Sequence, residues 1–261
     1  MSTQIAFFVQ NNHVERLTAP PSLYAHSKGY DVIDRSSTQD FDVMNCGVDW
    51  SQFDEIALFG SVQFLRQVRN TPLACHVHYD EVNFDTSLWI SIFGDHALNH
   101  DGKVMKACDV AHHLEVNSSA HVRPNSEDKA FIAAAFTPET WVTHSQERNV
   151  RADLNVYVSS IKQIDAEYRC WVIGGQIVEI SQYRRDGSYE ISRILDAEIH
   201  DAAKAMSNIY LPADAVVMDI AKTPTGFKLI EFNPIHGAGW YAADVTKILD
   251  AYVKWRLCEN A

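Results

Sequence analysis

Two pairs of apolar runs, each folded back across a short turn, constrain this chain more than anything else in it. Glu167 to Ile173, Gly174-Gly175 and Gln176 to Tyr183 read as two strands joined by a two-residue glycine turn, the tight connection that antiparallel hairpins favour. Ala215 to Ala221 and Phe227 to Phe232 repeat the pattern across Thr223-Pro224-Thr225-Gly226. The first hundred residues are patterned differently. Ile5 to Val9, Tyr30 to Ile33 and Glu55 to Phe59 are short runs of β-formers, and Val62, Leu65 and Val68 suit one face of a helix that follows the third run. Strands alternating with helices predict a parallel sheet. Pro20-Pro21 falls in a polar stretch between the first two runs. Residues 85 to 115 read as mostly helical, notably Lys106 to Leu114, and Asp153 to Ser160 as a strand. Ile194 to Asn208 and Ala243 to Leu257 have helical spacing. The fold class is therefore α/β plus α+β, an N-terminal parallel α/β lobe followed by a C-terminal antiparallel lobe. With no internal repeat and no low-complexity linker, the lobes are expected to pack as one unit with a cleft between them.

Charge narrows the partners. The 22 basic residues are outnumbered by 34 acidic ones, a net charge of -12, so counterion release cannot drive general adhesion to a phosphate backbone, and no nucleic-acid partner is expected. The five cysteines form no CxxC pair, which argues against a disulfide framework or zinc ribbon and suits a reducing cytoplasmic setting. Ile5 to Val9 is too short for a signal peptide or a membrane span, and no membrane partner is expected.

The chemistry sits in the hairpins. Asp219 interrupts the apolar run Val216-Val217-Met218-Asp219-Ile220, and Glu231 and Asn233 interrupt the opposite run. Glu231 and Asn233 are two apart and share a sheet face. If the hairpin pairs them near Asp219, three hard oxygen donors converge, a set suited to Mg²⁺. Arg169 interrupts another buried run, and a guanidinium there requires an anion: Glu167 or another structural carboxylate, a phosphate, or a substrate carboxylate. Elsewhere, His76-Val77-His78 and His112-His113 raise a zinc hydrolase, although no HExxH or third ligand at a suitable spacing accompanies them. Cys170 alternates away from Arg169 and reads as core.

Taken in order, Glu167-Tyr168-Arg169, Gly174-Gly175, Tyr183-Arg184, Asp219 and Glu231-Phe232-Asn233-Pro234 resemble the nucleotide-binding half of the ATP-grasp superfamily of carboxylate-amine ligases. The resemblance is closest to small bacterial and phage ATP-grasp proteins similar to peptide ligases. It extends to the phrase His121-Val122-Arg123-Pro124-Asn125 through Phe131 and to Ala238-Gly239-Trp240-Tyr241-Ala242-Ala243-Asp244-Val245. It covers about residues 103 to 252, and more faintly Phe59-Gly60-Ser61 and Asp80 to Phe84. The resemblance implies an ATP-grasp fold with ATP in the cleft, a pre-ATP-grasp domain over 1-100, and a nucleotide-binding domain over 101-261 with a lid near 118-160. It further implies ATP and Mg²⁺ as cofactors, with Asp219, Glu231 and Asn233 on the metal. Lys129 resembles the loop lysine that neutralises phosphates, Arg123 stands where many relatives have another lysine, and Lys106 resembles a further nucleotide-side lysine. Val156, Tyr157, Val158 and Ser159 fall where the family receives adenine through backbone groups. One departure is that Ala133-Ala134-Ala135 occupies a loop that usually contains glycine, whose backbone freedom is missing here.

The implied reaction joins a small-molecule or peptide carboxylate to an amine through an acylphosphate, releasing ADP and phosphate. Arg169 is expected at the phosphates, and Arg184, with the His236 to Tyr241 loop, at the substrate. Trp240 and Tyr241 have a second reading, as aromatic anchors of the closing helix. An alternative for the whole chain is a nucleotide-binding sensor or interaction module that has lost turnover, and a homodimer is compatible with either.

Overall fold

A computed structural model describes residues 4–11, 15–36, 47–125, 130–193 and 195–259. The three β-forming runs of the N-terminal region become Ile5–Asn11 (β1), Asp31–Ser36 (β2) and Glu55–Phe59 (β3), parallel in the order β2-β1-β3. Both faces are covered, which is why these runs are continuously apolar. Phe8, Ile56 and Leu58 enter one core, while Ile5, Phe7, Val9, Ala57 and Phe59 enter another. A helix, Glu15–Lys28 (α1), connects β1 to β2 and carries Pro20 and Pro21 inside it, where the sequence suggested only a polar stretch. Tertiary packing outweighs the proline penalty, because Tyr24 and Ala25 are buried against β1 and Tyr24 donates to Asp250 at 2.7 Å. Val62–Arg69 (α2) follows β3 as expected, capped by Ser61, whose hydroxyl accepts from the Phe64 amide. Thr86–Phe93 (α3) is capped the same way by Asp85.

The middle of the chain builds a small antiparallel sheet from Lys103–Lys106 (β4), Ala120–Pro124 (β5), Ala134–Phe136 (β6) and Asn155–Ser159 (β7), in the order β4-β7-β5-β6. The helices Val110–Asn117 (α4) and Pro138–Glu147 (α5) are interleaved with these strands in the chain. Lys103–Lys106 corrects the expectation of a helical stretch: pairing with β7 decides its state, because local propensity over four residues is weak. Val122, Val156 and Val158 alternate onto the side that packs with Val110, Leu114 and Trp141, and the intervening His121, Arg123, Tyr157 and Ser159 take the other side.

The expected hairpins form the large sheet. Ala166–Ile173 (β8) and Gln176–Arg185 (β9) turn on Gly174 and Gly175, at φ of 54° and 72°, conformations that a residue with a Cβ resists. A Cβ on Gly174 would also lie 2.9 Å from the Trp255 ring. Ser188–Ser192 (β10), an edge strand the sequence did not suggest, pairs with β9. Ile199–Ser207 (α6) begins five residues later than its expected start. Ala215–Thr223 (β11) and Gly226–Pro234 (β12) close on Pro224-Thr225 alone, and Val245–Glu259 (α7) ends the described chain. The sheet order is β10-β9-β8-β11-β12. One face carries Tyr168, Cys170, Met218 and Ile220 into the core. The other is divided along its length: Trp171, Ile173, Ala215 and Val217 lie in the cluster that contains α7 residues, and Glu167, Arg169 and Asp219 continue that face as a polar floor. Among the described residues, no helix is long and apolar enough to cross a membrane.

His236 ties the two lobes. Its Nε2 accepts from the His78 amide at 2.8 Å and its Nδ1 lies 2.8 Å from the Leu58 carbonyl, a pairing that requires a neutral ring protonated on Nδ1. Burial pushes its pKa down to about 4, and pushes that of the stacked His78 down to about 2. The folded protein thus binds fewer protons than an unfolded chain whose imidazoles titrate near ~6.5. Stability is full above that pH and falls below it, with a limiting slope of about 1.4 kcal/mol per pH unit for each ring. The thermal midpoint is expected to decline from about pH 7 to pH 5, and a flat midpoint would mean that these rings are solvated.

Candidate active site

Strand register assembles the polar floor. Asp219 lies opposite Glu231 on β12 and opposite Arg169 on β8, so all three side chains emerge on the same face. Asn233 completes the set, its amide nitrogen donating to Asp219 Oδ2 at 3.2 Å and to Glu231 Oε1 at 3.1 Å. Asp219, Glu231 and Asn233 therefore share one face of the sheet and touch one another there. Arg169 meets Asp219 as a two-pronged fork, Nε to Oδ1 at 2.8 Å and Nη2 to Oδ2 at 2.7 Å. The anion facing this guanidinium is therefore the Asp219 carboxylate, and two of its three nitrogens are committed there. Its third, Nη1, donates to the Gly239 carbonyl at 3.4 Å. The expectation of Arg169 at the phosphates thus gives way to one in which it holds a carboxylate in place. Burial pushes the Asp219 carboxyl up, with Glu231 and Glu167 adding to the push and Arg169 opposing it. Burial disfavours the Arg169 cation, but Asp219 outweighs burial and keeps it charged.

Tyrosines enclose the guanidinium. The Tyr241 ring lies 5.0 Å from Arg169 Cζ and stacks at 4.9 Å on Tyr183, itself 5.8 Å from the same carbon. Tyr241 has φ of 48°, a strained backbone for a residue with a Cβ, and the stacked ring holds it there. Tyr183 donates to Glu167 Oε2 at 2.7 Å, and Arg184 Nη1 donates to Glu167 Oε1 at 3.1 Å. Simple alternation would send two successive residues to opposite faces. A register shift in β9 opposite Glu167 and Tyr168 brings both to one carboxylate, which is why the shared role of Tyr183 and Arg184 at Glu167 escaped a reading based on alternation. Trp240 follows its second reading, buried and parallel to Trp171. His236 leaves the expected substrate loop, because both of its ring nitrogens serve the fold.

The small sheet faces this floor. Arg123 on β5 reaches Glu231 Oε2 at 3.0 Å and the Ile230 carbonyl at 3.4 Å, and its guanidinium carbon lies 5.9 Å from the Trp89 ring. Lys106 shares the cleft-facing side but donates to the Asp153 carbonyl at 3.0 Å and to Asn155 Oδ1 at 2.7 Å. Val156, Tyr157 and Val158 lie on an interior strand with neighbours on both sides, so their backbone groups are used in the ladders. Of the four, only Ser159, paired on one side by β5, lies where β7 ends. Lys129 lies outside the described residues.

The residues present fit a hard divalent cation. Asp219 and Glu231 bring two carboxylates to one face, hard oxygen donors of the kind Mg²⁺ takes, with the Asn233 amide beside them and its nitrogen turned toward both. Among the described residues, no three His, Cys, Asp or Glu side chains form a metal cluster. The zinc alternative has no support from the histidine pair: His76 bonds Glu55 at 3.0 Å, His78 bonds the Tyr252 hydroxyl at 3.1 Å, and the His112 ring pairs with Glu115 on an exposed helix. Cys170 is fully buried, as expected.

Comparison with known proteins bears on the fold. The fold matches a D-alanine–D-alanine ligase from Bacillus anthracis with a TM-score of 0.70 at 13% identity, covering 99% of each chain. It matches the D-cycloserine synthetase DcsG with a TM-score of 0.63 at 11% identity, covering 97% of this chain and 99% of that one. The ATP-grasp ligase PsnB, solved with a minimal precursor, gives a TM-score of 0.60 at 12% identity, covering 98% and 100%. No curated protein matches the sequence. A family model of the ATP-grasp domain matches residues 102–251, more than half of the chain and the part that carries both antiparallel sheets. An ATP-grasp fold with a parallel N-terminal lobe is therefore established, and the chain belongs to the ATP-grasp domain family.

Proposed function

We infer that this protein is an ATP-dependent carboxylate-amine ligase, joining a small-molecule or peptide carboxylate to an amine and releasing ADP and phosphate. The observation that carries the reading is the meeting of Arg123 from one antiparallel sheet with Glu231 from the other, where Glu231 lies opposite Asp219 in the strand register and beside the Asn233 amide. An anionic nucleotide between two sheets needs a cation from one side and a metal-binding set on the other, and this arrangement supplies both. Solved ligases of the same fold include one complexed with ATP and another with Mg and ADP, which supports the choice of both cofactors.

In this reading Asp219, Glu231 and Asn233 hold Mg²⁺, which when bound offsets phosphate charge. Arg123 binds the phosphates from above, and Arg169 opposes the effect of burial on Asp219 and aims its carboxylate. The reacting carboxylate attacks the γ-phosphorus, ADP leaves, and the amine then displaces phosphate from the acylphosphate to give an amide. Closure of the small sheet over the floor excludes water that would otherwise hydrolyse that intermediate. The decisive assay is ADP release, which should require an added carboxylate and an added amine together. Nucleotide binding without such release would favour the sensor reading, whose support is that Ala134–Phe136 is a strand where a glycine loop would move freely.

Arg184 is assigned to the substrate. It borders a cleft of about 230 Å³ that also includes Lys162, Glu167 and Arg185, and its Nε is buried without a hydrogen-bond partner. A guanidinium with one nitrogen on Glu167 and another unmet can align a substrate carboxylate through parallel bonds. Arg184→Ala is expected to raise KM for the carboxylate or the amine by about tenfold, with ATP affinity unchanged. An equal fall in ATP affinity would move Arg184 to the nucleotide.

A further inference from the structure

The small sheet leaves one edge open beside a helix. β6 pairs with β5 along one side, and among the described residues no strand lies against the other. It carries neither a charged side chain nor a proline, two of the usual guards of a strand edge. Through Thr137 the chain enters α5 at once, and strand and helix enclose a groove of about 410 Å³. Ala135 and Phe136 form its strand wall. Glu139, Thr143 and Glu147, four residues apart and so on one helix face, form the other wall with His144.

The chemistry of this groove is incomplete and acidic. His144 Nε2 is enclosed there without a hydrogen-bond partner, and its ring is held by Phe136 at 5.0 Å and Phe131 at 5.8 Å. An enclosed polar nitrogen is costly unless a ligand or water completes it. Glu139 and Glu147 stand exposed along the helix wall, and among the described residues no lysine or arginine lines the groove to answer them. The net charge of -12 adds a long-range attraction for basic partners. The groove is also separate from the cleft, because α5 packs through Trp141 on the side of the small sheet opposite Arg123.

We propose that this groove binds an extended basic peptide segment, which adds to the free edge of β6, sets a cation against each of Glu139 and Glu147, and completes His144 Nε2. Eight helical residues separate the two carboxylates by ~12 Å, and residues four apart on an extended strand lie ~13 Å apart on one face. The segment therefore carries lysine or arginine four residues apart, with a small hydrogen-bond donor such as threonine midway between them. Backbone pairing along β6 supplies affinity, and the spacing of the carboxylates supplies selectivity. The site lies outside the nucleotide cleft and does not depend on the ligase reading.

The test is titration of the full chain into a fluorescein-labelled peptide with the core Lys-Ala-Thr-Ala-Lys, followed by anisotropy. A second peptide, Lys-Lys-Ala-Thr-Ala, has the same composition and charge but puts its lysines on opposite faces of an extended strand. Wild-type protein is expected to bind the first about tenfold more tightly. Glu139→Gln combined with Glu147→Gln should lose about tenfold in affinity for it, the effect of two exposed ion pairs, and His144→Phe about fivefold, the effect of one hydrogen bond. Equal affinity for the two peptides, or affinity unchanged in the double variant, reduces the effect to general attraction and overturns the proposal. Wild-type protein that binds neither peptide overturns it as well. Glu139 and Glu147 are exposed, so the double variant decides the matter even if His144→Phe folds poorly. ADP release is measured separately, and failure of either experiment leaves the other conclusion standing.

Discussion

Arg169→Ala is expected to destabilise the fold by about 3–5 kcal/mol, a large share of the stability of an ordinary domain. The cause is what the substitution leaves behind. Both Asp219 oxygens accept from the Arg169 fork, and the two side chains are only 2% and 9% exposed, so the variant strands a carboxylate on the floor of the sheet. Burial already pushes Asp219 up, and without the guanidinium that push is unopposed. The sign of the pH dependence follows. A carboxyl whose folded pKa lies above its unfolded value, ~3.9, is disfavoured as its charged form appears. The variant is therefore nearest to wild type at low pH and loses stability as pH rises through the raised pKa of Asp219. Urea unfolding at two pH values measures this, and Arg169→Met with Asp219→Leu should recover most of the loss, because a buried pair replaced by apolar groups of similar volume costs little. If Arg169→Ala unfolds like wild type while ADP release collapses, the guanidinium acts on the nucleotide instead.

Glu231→Gln is the second large effect, and it should fall on turnover alone. ADP release is expected to drop by about a hundredfold or more, the scale for removing one preorganised charge or ligand from a reacting phosphate or oxyanion. The fold should survive. The Glu231 side chain is 29% exposed, glutamine has its shape, and the carbonyl can still accept from Arg123. The variant should also need more Mg²⁺ to reach half-maximal rate, which separates loss of a cation ligand from loss of an Arg123 contact. A thermal midpoint within about 2 °C of wild type, together with unchanged ADP release, would remove Glu231 from the cation site. Comparing the two variants is informative because their residues are neighbours on one floor: one change is expected to act on folding and the other on chemistry.

The hairpins, the change from parallel to antiparallel patterning, and the shared face of Asp219, Glu231 and Asn233 were all legible in the order of the residues. Each follows from a local rule, a glycine turn or a period of two, and strands β11 and β12 are adjacent in the chain, so their pairing needs no distant information. Assembly of the sheets settled the rest. Whether Arg169 would meet Glu167, another carboxylate or a phosphate depended on the register between β8 and β11, strands separated by a hairpin and a helix, and that register set it against Asp219. Tyr183 and Arg184 reach Glu167 together through an irregularity in β9 that alternation does not encode. Lys103–Lys106 is a strand because β7 offers an edge, and that same pairing makes Val156 to Val158 an interior strand with a ladder on each side. His236 reads as a substrate-loop residue until Leu58 and His78 arrive from the other lobe to take both its nitrogens. Periodicity fixes which face a side chain takes, but the partner of a buried charge or ring nitrogen is whatever distant segment the fold brings within hydrogen-bonding distance, and that is settled only when the sheets come together.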